Sequence, residues 1–309
     1  MNDPVLHLSQ RLEALAPYIG NTPLWPLRRA YARPGVAIHA KLEWQQLGGS
    51  VKARAAYRML REAIQTGAYQ PGQTLLDSTS GNTGIALAML AAQIGIPITL
   101  IMPEDASVER KRILAALGVE MCYTPAELSS DEVFAFAQDM HARNPDRFCY
   151  LNQYDNSANW QAHYHGTARE IYEQTQGQVT HLATGLGTCG TFVGTGRRLR
   201  EWNAGIQLVA LHPDVKDNGI KGWKHLDSSR HPAIYDPQLA DAHLKVTTEE
   251  AHFWMKQAAR KEGLLLSPSA GAALAGAVKL ADRLERGVVV TVFPDDASKY
   301  GALLQSLFT

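Results

Sequence analysis

One lysine of this chain follows a glycine turn and opens a stretch with helical periodicity. Lys52 comes directly after Gly48-Gly-Ser-Val51, and apolar residues recur at helical spacing over residues 51–66. A lysine amine that is partly withdrawn from water has a lowered pKa and adds readily to carbonyl carbons, forming a Schiff base. An ordinary turn followed by a helix with a solvated lysine fits the same pattern. Lys52 is therefore a candidate nucleophile, and both interpretations stay open at this level.

A second segment has the composition of an anion-binding turn. Thr79-Ser-Gly-Asn-Thr-Gly84 follows a short apolar strand and precedes an apolar helical run. Small residues let the backbone approach a ligand closely, and the N–H groups of a helix N-terminus attract a carboxylate or a phosphate. The alternative is an ordinary connection in which Ser80 or Asn82 only caps the helix.

A glycine-rich loop later in the chain follows the same logic. Gly185-Leu-Gly-Thr-Cys-Gly-Thr191 precedes a predicted helix whose end carries Arg197, Arg198 and Arg200. Glycines and threonine hydroxyls at a helix N-terminus suit a phosphate, and late basic residues complement the helix dipole. The loop lacks the Gly-Lys-Ser/Thr ending of a nucleotide P-loop, and no suitably framed GxGxxG with a downstream acidic residue indicates a dinucleotide. The expected ligand is a phosphate compound smaller than ATP.

A third small-residue turn, Ser267-Pro-Ser-Ala-Gly271, enters another apolar helix. By itself it favours the ordinary interpretation, in which Ser269 is the N-cap of that helix.

Short apolar or β-branched runs alternate with helical patterns along the chain. This alternation predicts an α/β fold with twisted, mostly parallel sheets flanked by helices, and seven strands over this length fit two sheets better than one. Residues 213–241 carry glycines and prolines among charged and aromatic residues, which predicts a long irregular surface segment. The strands are predicted at 36–42, 74–77, 98–102, 119–123, 179–183, 207–211 and 288–293, and the helices at 51–66, 83–94, 107–117, 130–143, 158–175, 190–202, 248–262 and 270–286.

One apolar segment, residues 84–103, is about as long as a membrane-spanning helix, roughly 20 residues. Gln93, Gly95 and Pro97 interrupt it. The better interpretation is a buried helix, a tight turn and a buried parallel strand.

Composition restricts the classes of function. The chain has 309 residues, of which 45% are hydrophobic and 19% charged, and its 30 basic and 30 acidic side chains cancel. We therefore expect a globular protein with a small-molecule ligand and no nucleic-acid or membrane partner. Cys122, Cys149 and Cys189 are widely spaced, which argues against disulfides or a metal site and for a reducing compartment. The first residues lack a basic leader and an apolar segment, so a cytoplasmic location is expected.

Taken in order, these motifs resemble those of the fold type II (β-family) enzymes that depend on pyridoxal 5′-phosphate (PLP), and among them the B-type cysteine synthases, or O-acetylserine sulfhydrylases. The similarity runs nearly end to end. It includes Asn21-Thr-Pro-Leu24, Lys41-Leu-Glu43, Gly48 to Lys52, Thr79 to Gly84, Met102-Pro103, Ser107-Val-Glu-Arg110, Ala116-Leu-Gly118, Asn152-Gln153, Gly185 to Thr191, Ile220-Lys-Gly-Trp223, Tyr235-Asp-Pro-Gln-Leu239 and Ser269-Ala-Gly271.

The resemblance implies a role for each matching position. Lys52 would form the Schiff base with PLP and later act as acid and base. Asn82 would contact the ring hydroxyl of the cofactor, and Ser269 would face its pyridine nitrogen. The cofactor phosphate would be held by Gly187, Thr188, Cys189, Gly190 and Thr191, and the substrate α-carboxylate by Thr79, Ser80, Gly81, Thr83 and Gln153.

The activity implied by the resemblance is β-replacement. An activated serine, O-acetylserine or O-phosphoserine, would lose its leaving group to give α-aminoacrylate, and sulfide, thiosulfate or a thiocarboxylate on a sulfur-carrier protein would add to form L-cysteine. A serine beside the pyridine nitrogen makes the cofactor a weaker electron sink than a carboxylate would, which favours this reaction over racemisation. The alternatives are a cystathionine β-synthase, a serine or threonine dehydratase, and a non-catalytic protein of the same fold.

The resemblance also implies the two-domain, tryptophan synthase β-like architecture and a homodimer. Residues 1–42 and 151–309 would form the large PLP-binding domain, and residues 43–150 a small mobile domain that carries Lys52 and the carboxylate loop, with PLP between the two. Three positions depart from the family. Ser157 replaces a proline, with little expected consequence. Ala53 replaces an aspartate, which is expected to alter the support of the neighbouring loop, and Cys189 replaces a glycine, which is tolerable if its φ is negative.

Overall fold

The computed structural model describes residues 4–79 and 81–308. The chain forms two compact units. The first comprises Met1–Ile19 and Lys52–Asn159, and the second comprises Gly20–Val51 and Trp160–Thr309. These bounds differ from the predicted ones: residues 4–19 and 151–159, assigned to the larger domain, belong to the first unit, and residues 43–51, assigned to the smaller domain, belong to the second. The first helix of the chain packs within the first unit. In that helix Leu12 is buried, and Arg11 Nη1 donates a hydrogen bond to the Ile94 carbonyl (3.3 Å).

Helices and strands alternate through most of the described chain, as predicted. The α-helices are α1 Pro4–Glu13, α2 Lys52–Gln65, α3 Asn82–Ile94, α4 Val108–Ala116, α5 Ser130–Arg143, α6 Ser157–Ala162, α7 Ala168–Gln174, α8 Gly190–Trp202, α9 Thr248–Glu262, α10 Pro268–Ala281 and α11 Gly301–Phe308. The strands are β1 Leu24–Pro26, β2 Val36–Leu42, β3 Thr74–Ser78, β4 Ile98–Pro103, β5 Glu120–Thr124, β6 Phe148–Tyr150, β7 His181–Gly185, β8 Gln207–Pro213, β9 Ala242–Val246 and β10 Gly287–Phe293.

The first unit contains a parallel sheet of four strands in the order β5-β4-β3-β6. The apolar segment at residues 84–103 folds as predicted. Helix α3 ends at Gly95, whose left-handed φ of 78° makes the tight turn into the buried strand β4. No helix of the described chain is long and apolar enough to span a membrane.

The second unit contains a sheet of six strands in the order β1-β2-β10-β7-β8-β9, in which only β1 runs antiparallel to its neighbour. Helix α10 packs against this sheet and against α9. Small residues permit this close packing: a Cβ at Gly271 would overlap the Ala251 carbonyl, and one at Gly276 would lie 2.5 Å from Leu211 Cδ1. The predicted α/β architecture with mostly parallel sheets is confirmed.

The differences from the prediction are local. Strands β1, β6 and β9 and helices α1 and α11 were not predicted, and β7 begins at His181 instead of residue 179. The helix predicted at 158–175 contains a π-helical stretch, His163–Thr167, between α6 and α7. The irregular segment predicted at 213–241 is confirmed, since it contains only a short 3₁₀ turn at Leu226–Ser228 among its described elements.

Candidate active site

Lys52 is the first residue of α2, directly after the turn that the glycines predict. Gly48 and Gly49 have positive φ values of 88° and 57°. Two contacts within the second unit anchor the turn: Lys299 Nζ donates to the Gly49 carbonyl (3.1 Å), and the Val51 N–H donates to the Pro294 carbonyl (2.8 Å). Lys52 therefore follows a loop that these two hydrogen bonds hold in place, and the Lys52 side chain is partly buried.

The neighbouring Ala53 is 1% exposed. A carboxylate at this position would be buried and would need a cation or hydrogen-bond donors. Alanine needs neither. Ala53, in place of the family's aspartate, therefore fills this buried position beside Lys52 without a charge.

The turn that was predicted to bind an anion connects β3 to α3. Gly81 is the N-cap of α3, with no hydrogen bond from a capping side chain, and Asn82 is the first helical residue. The capping interpretation of Asn82 is therefore wrong, and Ser80 lies outside the described residues. Thr79 Oγ1 instead accepts a hydrogen bond from the Gly81 N–H (3.0 Å). Gly84 is required because a Cβ there would lie 2.8 Å from Leu100 Cδ1 in β4.

Two of the residues predicted to bind the substrate carboxylate meet in the first unit. Thr83 Oγ1 donates a hydrogen bond to Gln153 Oε1 at 2.6 Å, although the two residues are 70 positions apart. Gln153 Nε2 donates to the Ser78 carbonyl (3.2 Å), and Asn159 Nδ2 donates to the Gln153 carbonyl (2.7 Å). Both Thr83 and Gln153 are buried, so these hydrogen bonds hold their side chains in defined positions beside the turn.

Asp77, near the end of β3, is a titratable residue of this region that the sequence analysis missed. Its side chain is fully buried, and Oδ1 accepts a hydrogen bond from the Ser78 N–H at 2.7 Å. Burial raises the pKa of the Asp77 carboxyl to about 7, although the amide groups of Ser78 and Gln153 lower it. An aspartate directly after two leucines of a predicted buried strand was the available signal in the sequence.

The glycine-rich loop lies in the second unit, between β7 and α8. Cys189 is the N-cap of α8 with φ 69° and ψ −9°, so the condition of a negative φ, under which cysteine would be readily tolerated at this position, is not met. The loop needs a left-handed residue where the chain turns into the helix, and cysteine adopts that conformation at a cost of about 1–2 kcal/mol. The cysteine side chain is buried in an apolar cluster that includes Phe192, Val193 and Leu226.

The start of α8 is suited to an anion. A helix leaves its first N–H groups without intrahelical acceptors, and Cys189 supplies no side-chain cap hydrogen bond. Thr191 in the first turn is held by a buried histidine of the π-helical stretch, since its Oγ1 lies 3.3 Å from His163 Nε2. The close approach is possible because Gly194 has no side chain; a Cβ there would overlap the Trp160 carbonyl.

The irregular segment covers the glycine-rich loop within the second unit. A Cβ at Gly185 would overlap the indole of Trp223, and one at Gly187 would overlap the Gly222 carbonyl. The Lys224 N–H donates to the Leu186 carbonyl (2.7 Å). These glycines therefore serve close packing as well as any approach to a ligand.

Ser269 is not the N-cap of α10, contrary to the ordinary interpretation of the sequence. Ser267 is the cap, because its Oγ accepts a hydrogen bond from the Ala270 N–H (3.2 Å) and Pro268 occupies the first helical position. Ser269 is 3% exposed, and its Oγ lies 3.2 Å from Ser267 Oγ. Ser269 is the second residue of a helix that packs on β7, the strand that precedes the glycine-rich loop.

The residues fit pyridoxal phosphate. A lysine at the start of a helix suits the aldehyde of the cofactor, the uncapped N-terminus of α8 suits its phosphate, and the Ser269 hydroxyl suits its ring nitrogen. Among the described residues no group of three or more histidine, cysteine or acidic side chains has the arrangement of a metal site.

Comparisons with known proteins agree with this chemistry. The family profile described as "Pyridoxal-phosphate dependent enzyme" matches residues 15–295. A cysteine synthase of Aquifex aeolicus (strain VF5) is 41% identical over 304 residues, 96% of this chain and 92% of that protein. Cysteine synthase B of Pseudomonas aeruginosa is 37% identical over 288 residues, 93% of this chain and 95% of that protein.

Solved structures show the same fold. The cysteine synthase of Entamoeba histolytica matches with a TM-score of 0.88 and 31% identity, over 96% of this chain and 90% of that chain. The O-acetylserine-dependent cystathionine β-synthase of Helicobacter pylori matches with a TM-score of 0.87 and 31% identity, over 93% and 96% of the two chains. By sequence and by fold, this chain belongs to the family of pyridoxal-phosphate dependent enzymes, and pyridoxal phosphate is its cofactor.

Proposed function

We propose that this enzyme forms L-cysteine by β-replacement, from an activated serine and a sulfur donor. The activated serine is O-acetylserine or O-phosphoserine, and the donor is sulfide, thiosulfate or a thiocarboxylate. The similarity to cysteine synthases over nearly the whole chain supports this reaction.

One structural observation carries the proposal. Ser269 is buried and is not needed as a helix cap, so its hydroxyl is available to the pyridine nitrogen of the cofactor. A neutral hydroxyl stabilises a protonated pyridine ring less than a carboxylate does. The bound cofactor would then be a weaker electron sink, which favours loss of a leaving group from the β carbon.

The other residues have roles that match their positions. Lys52 would bond the aldehyde of the cofactor and then move a proton at the substrate α carbon. The hydrogen bonds at Gly49 and Val51 hold the loop that leads to this lysine. Thr83 and Gln153 bind the substrate carboxylate together with Thr79, Ser80 and Gly81. The backbone of Gly187, Thr188, Cys189, Gly190 and Thr191 binds the cofactor phosphate, and Asn82 contacts the ring hydroxyl. The bound cofactor supplies the electron sink.

Absorption spectroscopy of the purified enzyme tests the reaction. We expect a visible band from bound PLP that changes when O-acetylserine is added and returns when sulfide follows, with L-cysteine formed. Lys52→Ala should lower the rate by roughly 10³-fold, whereas Lys261→Ala, which changes an exposed lysine at the end of α9, should not. A protein that takes up no PLP, or makes no cysteine from either activated serine, would contradict the proposal.

The second candidate is O-acetylserine-dependent cystathionine synthesis, favoured by the structural match to the Helicobacter pylori enzyme. The two reactions share the first half and differ in the nucleophile. Competition between sulfide and homocysteine for the O-acetylserine-loaded enzyme separates them. Pyruvate formation without either nucleophile would instead indicate a dehydratase.

A lysine of the irregular segment is a candidate for selecting an anionic substrate. Lys221 is exposed, and the segment it belongs to is tied to the glycine-rich loop through the Lys224 N–H. We expect Lys221→Ala and Lys224→Ala to raise the KM for O-phosphoserine more than the KM for O-acetylserine. Lys216→Ala, an exposed lysine of the same segment, is the control. Unchanged O-phosphoserine kinetics in both variants would exclude this role.

The assembly and location follow from the same proposal. We infer a homodimer in the cytoplasm, with a mobile smaller domain and, where the donor is a thiocarboxylate, a sulfur-carrier partner. Sedimentation equilibrium of the purified enzyme tests the homodimer.

A further inference from the structure

The carboxyl group of Asp77 is fully buried near the C-terminal end of β3, an interior strand of the first unit's sheet. The turn that was predicted to bind an anion follows this strand. The Asp77 backbone pairs with Leu100 of β4, and only one residue separates Asp77 from Thr79. Oδ1 accepts the Ser78 N–H at 2.7 Å, and Oδ2 has no partner of normal hydrogen-bond geometry among the described residues.

The groups that face Asp77 offer no compensating positive charge among the described residues. Strand β3 packs against β4, β6 and α5. β4 carries no titratable side chain, β6 contributes Cys149 and Tyr150, and His141 of α5 lies against the Tyr150 ring at 5.9 Å. The next acidic group, Asp155, follows β6, and both Asp77 and Asp155 raise the pKa of Tyr150. A charged Asp77 is therefore poorly stabilised in this environment.

Asp77 also shares its surroundings with the residues that bind the substrate carboxylate. The amide groups of Gln153 act on the Asp77 carboxyl. The same Gln153 side chain donates to the Ser78 carbonyl and accepts from Thr83. A substrate carboxylate bound by Thr83 and Gln153 would place a second negative charge beside Asp77, and two adjacent carboxylates resist being ionised together.

We propose that Asp77 is a positioning residue for the substrate carboxylate: it is uncharged when that carboxylate is bound, so wherever Asp77 is ionised in the free enzyme, binding takes up one proton from solvent. The inference rests on the proposed role of Thr83 and Gln153. A neutral Asp77 still accepts the Ser78 N–H, so the turn keeps its shape. An ionised Asp77 keeps the same contacts but repels the incoming carboxylate.

The first measurement is the titration of Asp77 itself, which needs no substrate. In the PLP-loaded enzyme labelled with ¹³C at aspartate carboxyl carbons, the resonance that Asp77→Asn removes should titrate near pH 7. A resonance that titrates below pH 5 would overturn the proposal, whether or not the enzyme makes cysteine. Addition of propionate, a carboxylate without an amine, should move this titration to higher pH.

The second measurement is the pH dependence of carboxylate binding. Between pH 6 and pH 9 the inhibition constant of propionate against O-acetylserine should rise by up to about 100-fold, tenfold for each pH unit above 7, because the ligand binds only when Asp77 is protonated. In Asp77→Asn it should stay nearly constant, and in Asp139→Asn, which changes an exposed carboxylate of α5, it should rise as in the parent enzyme. A purely structural Asp77 would leave the pH profile of Asp77→Asn unchanged.

These results separate this inference from the proposed reaction. An enzyme that makes cysteine and binds propionate equally at all pH values refutes the role of Asp77 alone. An enzyme that binds propionate with the expected pH profile and makes no cysteine refutes the reaction and leaves the proton linkage in place.

Discussion

The indole of Trp223 occupies the space that a side chain at Gly185 would need. An added Cβ at Gly185 would overlap the Trp223 ring, so this glycine and tryptophan, 38 positions apart, are complementary. The contact joins the glycine-rich loop to the irregular segment after β8. It explains why the end of β7 needs a glycine even though that residue has no left-handed φ.

Gly185→Ala should destabilise the enzyme, because the Trp223 ring must move to admit a methyl group. Overpacking of this kind costs about 1–3 kcal/mol. In a Trp223→Ala background the same change should cost much less, and urea unfolding of the four proteins measures that coupling. Gly301→Ala, at a position with open space around it, is the control. Additive effects of the two substitutions would show that the contact is absent.

The left-handed backbone conformation of Cys189 predicts how the stabilities of its glycine and valine variants compare with that of the parent. Cys189→Gly removes the backbone strain at the cost of a small buried side chain, so its stability should lie close to that of the parent. Cys189→Val adds a β-branched side chain at φ 69° and should lose at least about 2 kcal/mol. Thermal unfolding and PLP affinity check both variants. A valine variant as stable as the parent would argue against the left-handed conformation.

Lys41 and Glu170 form a buried ion pair within the second unit. Their side chains are 0% and 6% exposed, and Lys41 Nζ lies 2.8 Å from Glu170 Oε2. Glu170→Gln should cost about 3–5 kcal/mol, because it leaves a buried ammonium without its carboxylate. Glu173→Gln on the same helix breaks an exposed pair with Arg169 and should cost less than about 1 kcal/mol. Chemical denaturation measures both, and equal losses would contradict the burial of the first pair.

The buried Asp77 predicts a pH dependence of stability. Its pKa is about 7 in the folded enzyme and 3.8 in an unfolded chain, so between these values the folded state binds the extra proton. The contribution of Asp77 to stability is therefore greatest below about pH 4 and falls by about 4 kcal/mol as the pH rises to 7. Asparagine does not titrate. Between pH 4 and pH 7 the free energy of unfolding of Asp77→Asn should therefore increase by that amount relative to the free energy of unfolding of the parent. A pH-independent difference would contradict the prediction.

Two serines near the start of α10 should respond differently to alanine. Ser267→Ala removes the helix cap and should cost about 1 kcal/mol of stability. Ser269→Ala should change stability less and should alter the visible spectrum and turnover of the PLP-loaded enzyme, since we propose that its hydroxyl faces the pyridine nitrogen of the cofactor. Unfolding curves and absorption spectra of both variants make the test. Identical behaviour of the two serines would contradict the division of roles.

Much of the fold can be predicted from the sequence, because local residue patterns indicate local secondary structure. The apolar runs at 36–42 and 288–293 predict strands β2 and β10, and the glycines at 48–49 and 95 predict the turns found there. Strand β6 has only three residues, and such a strand exists because β3 pairs with it, so no local pattern indicates it.

The sequence by itself determined seven of the ten described strands with most of the helices, the three small-residue turns and the family with its cofactor, because spacing and residue type carry that information along the chain. The tertiary structure decided which residues meet across the chain. It placed Thr83 against Gln153, Trp223 over Gly185 and Lys41 beside Glu170. It also decided the environment of Asp77, since the pKa of a carboxyl depends on burial and on neighbours that arrive from distant positions.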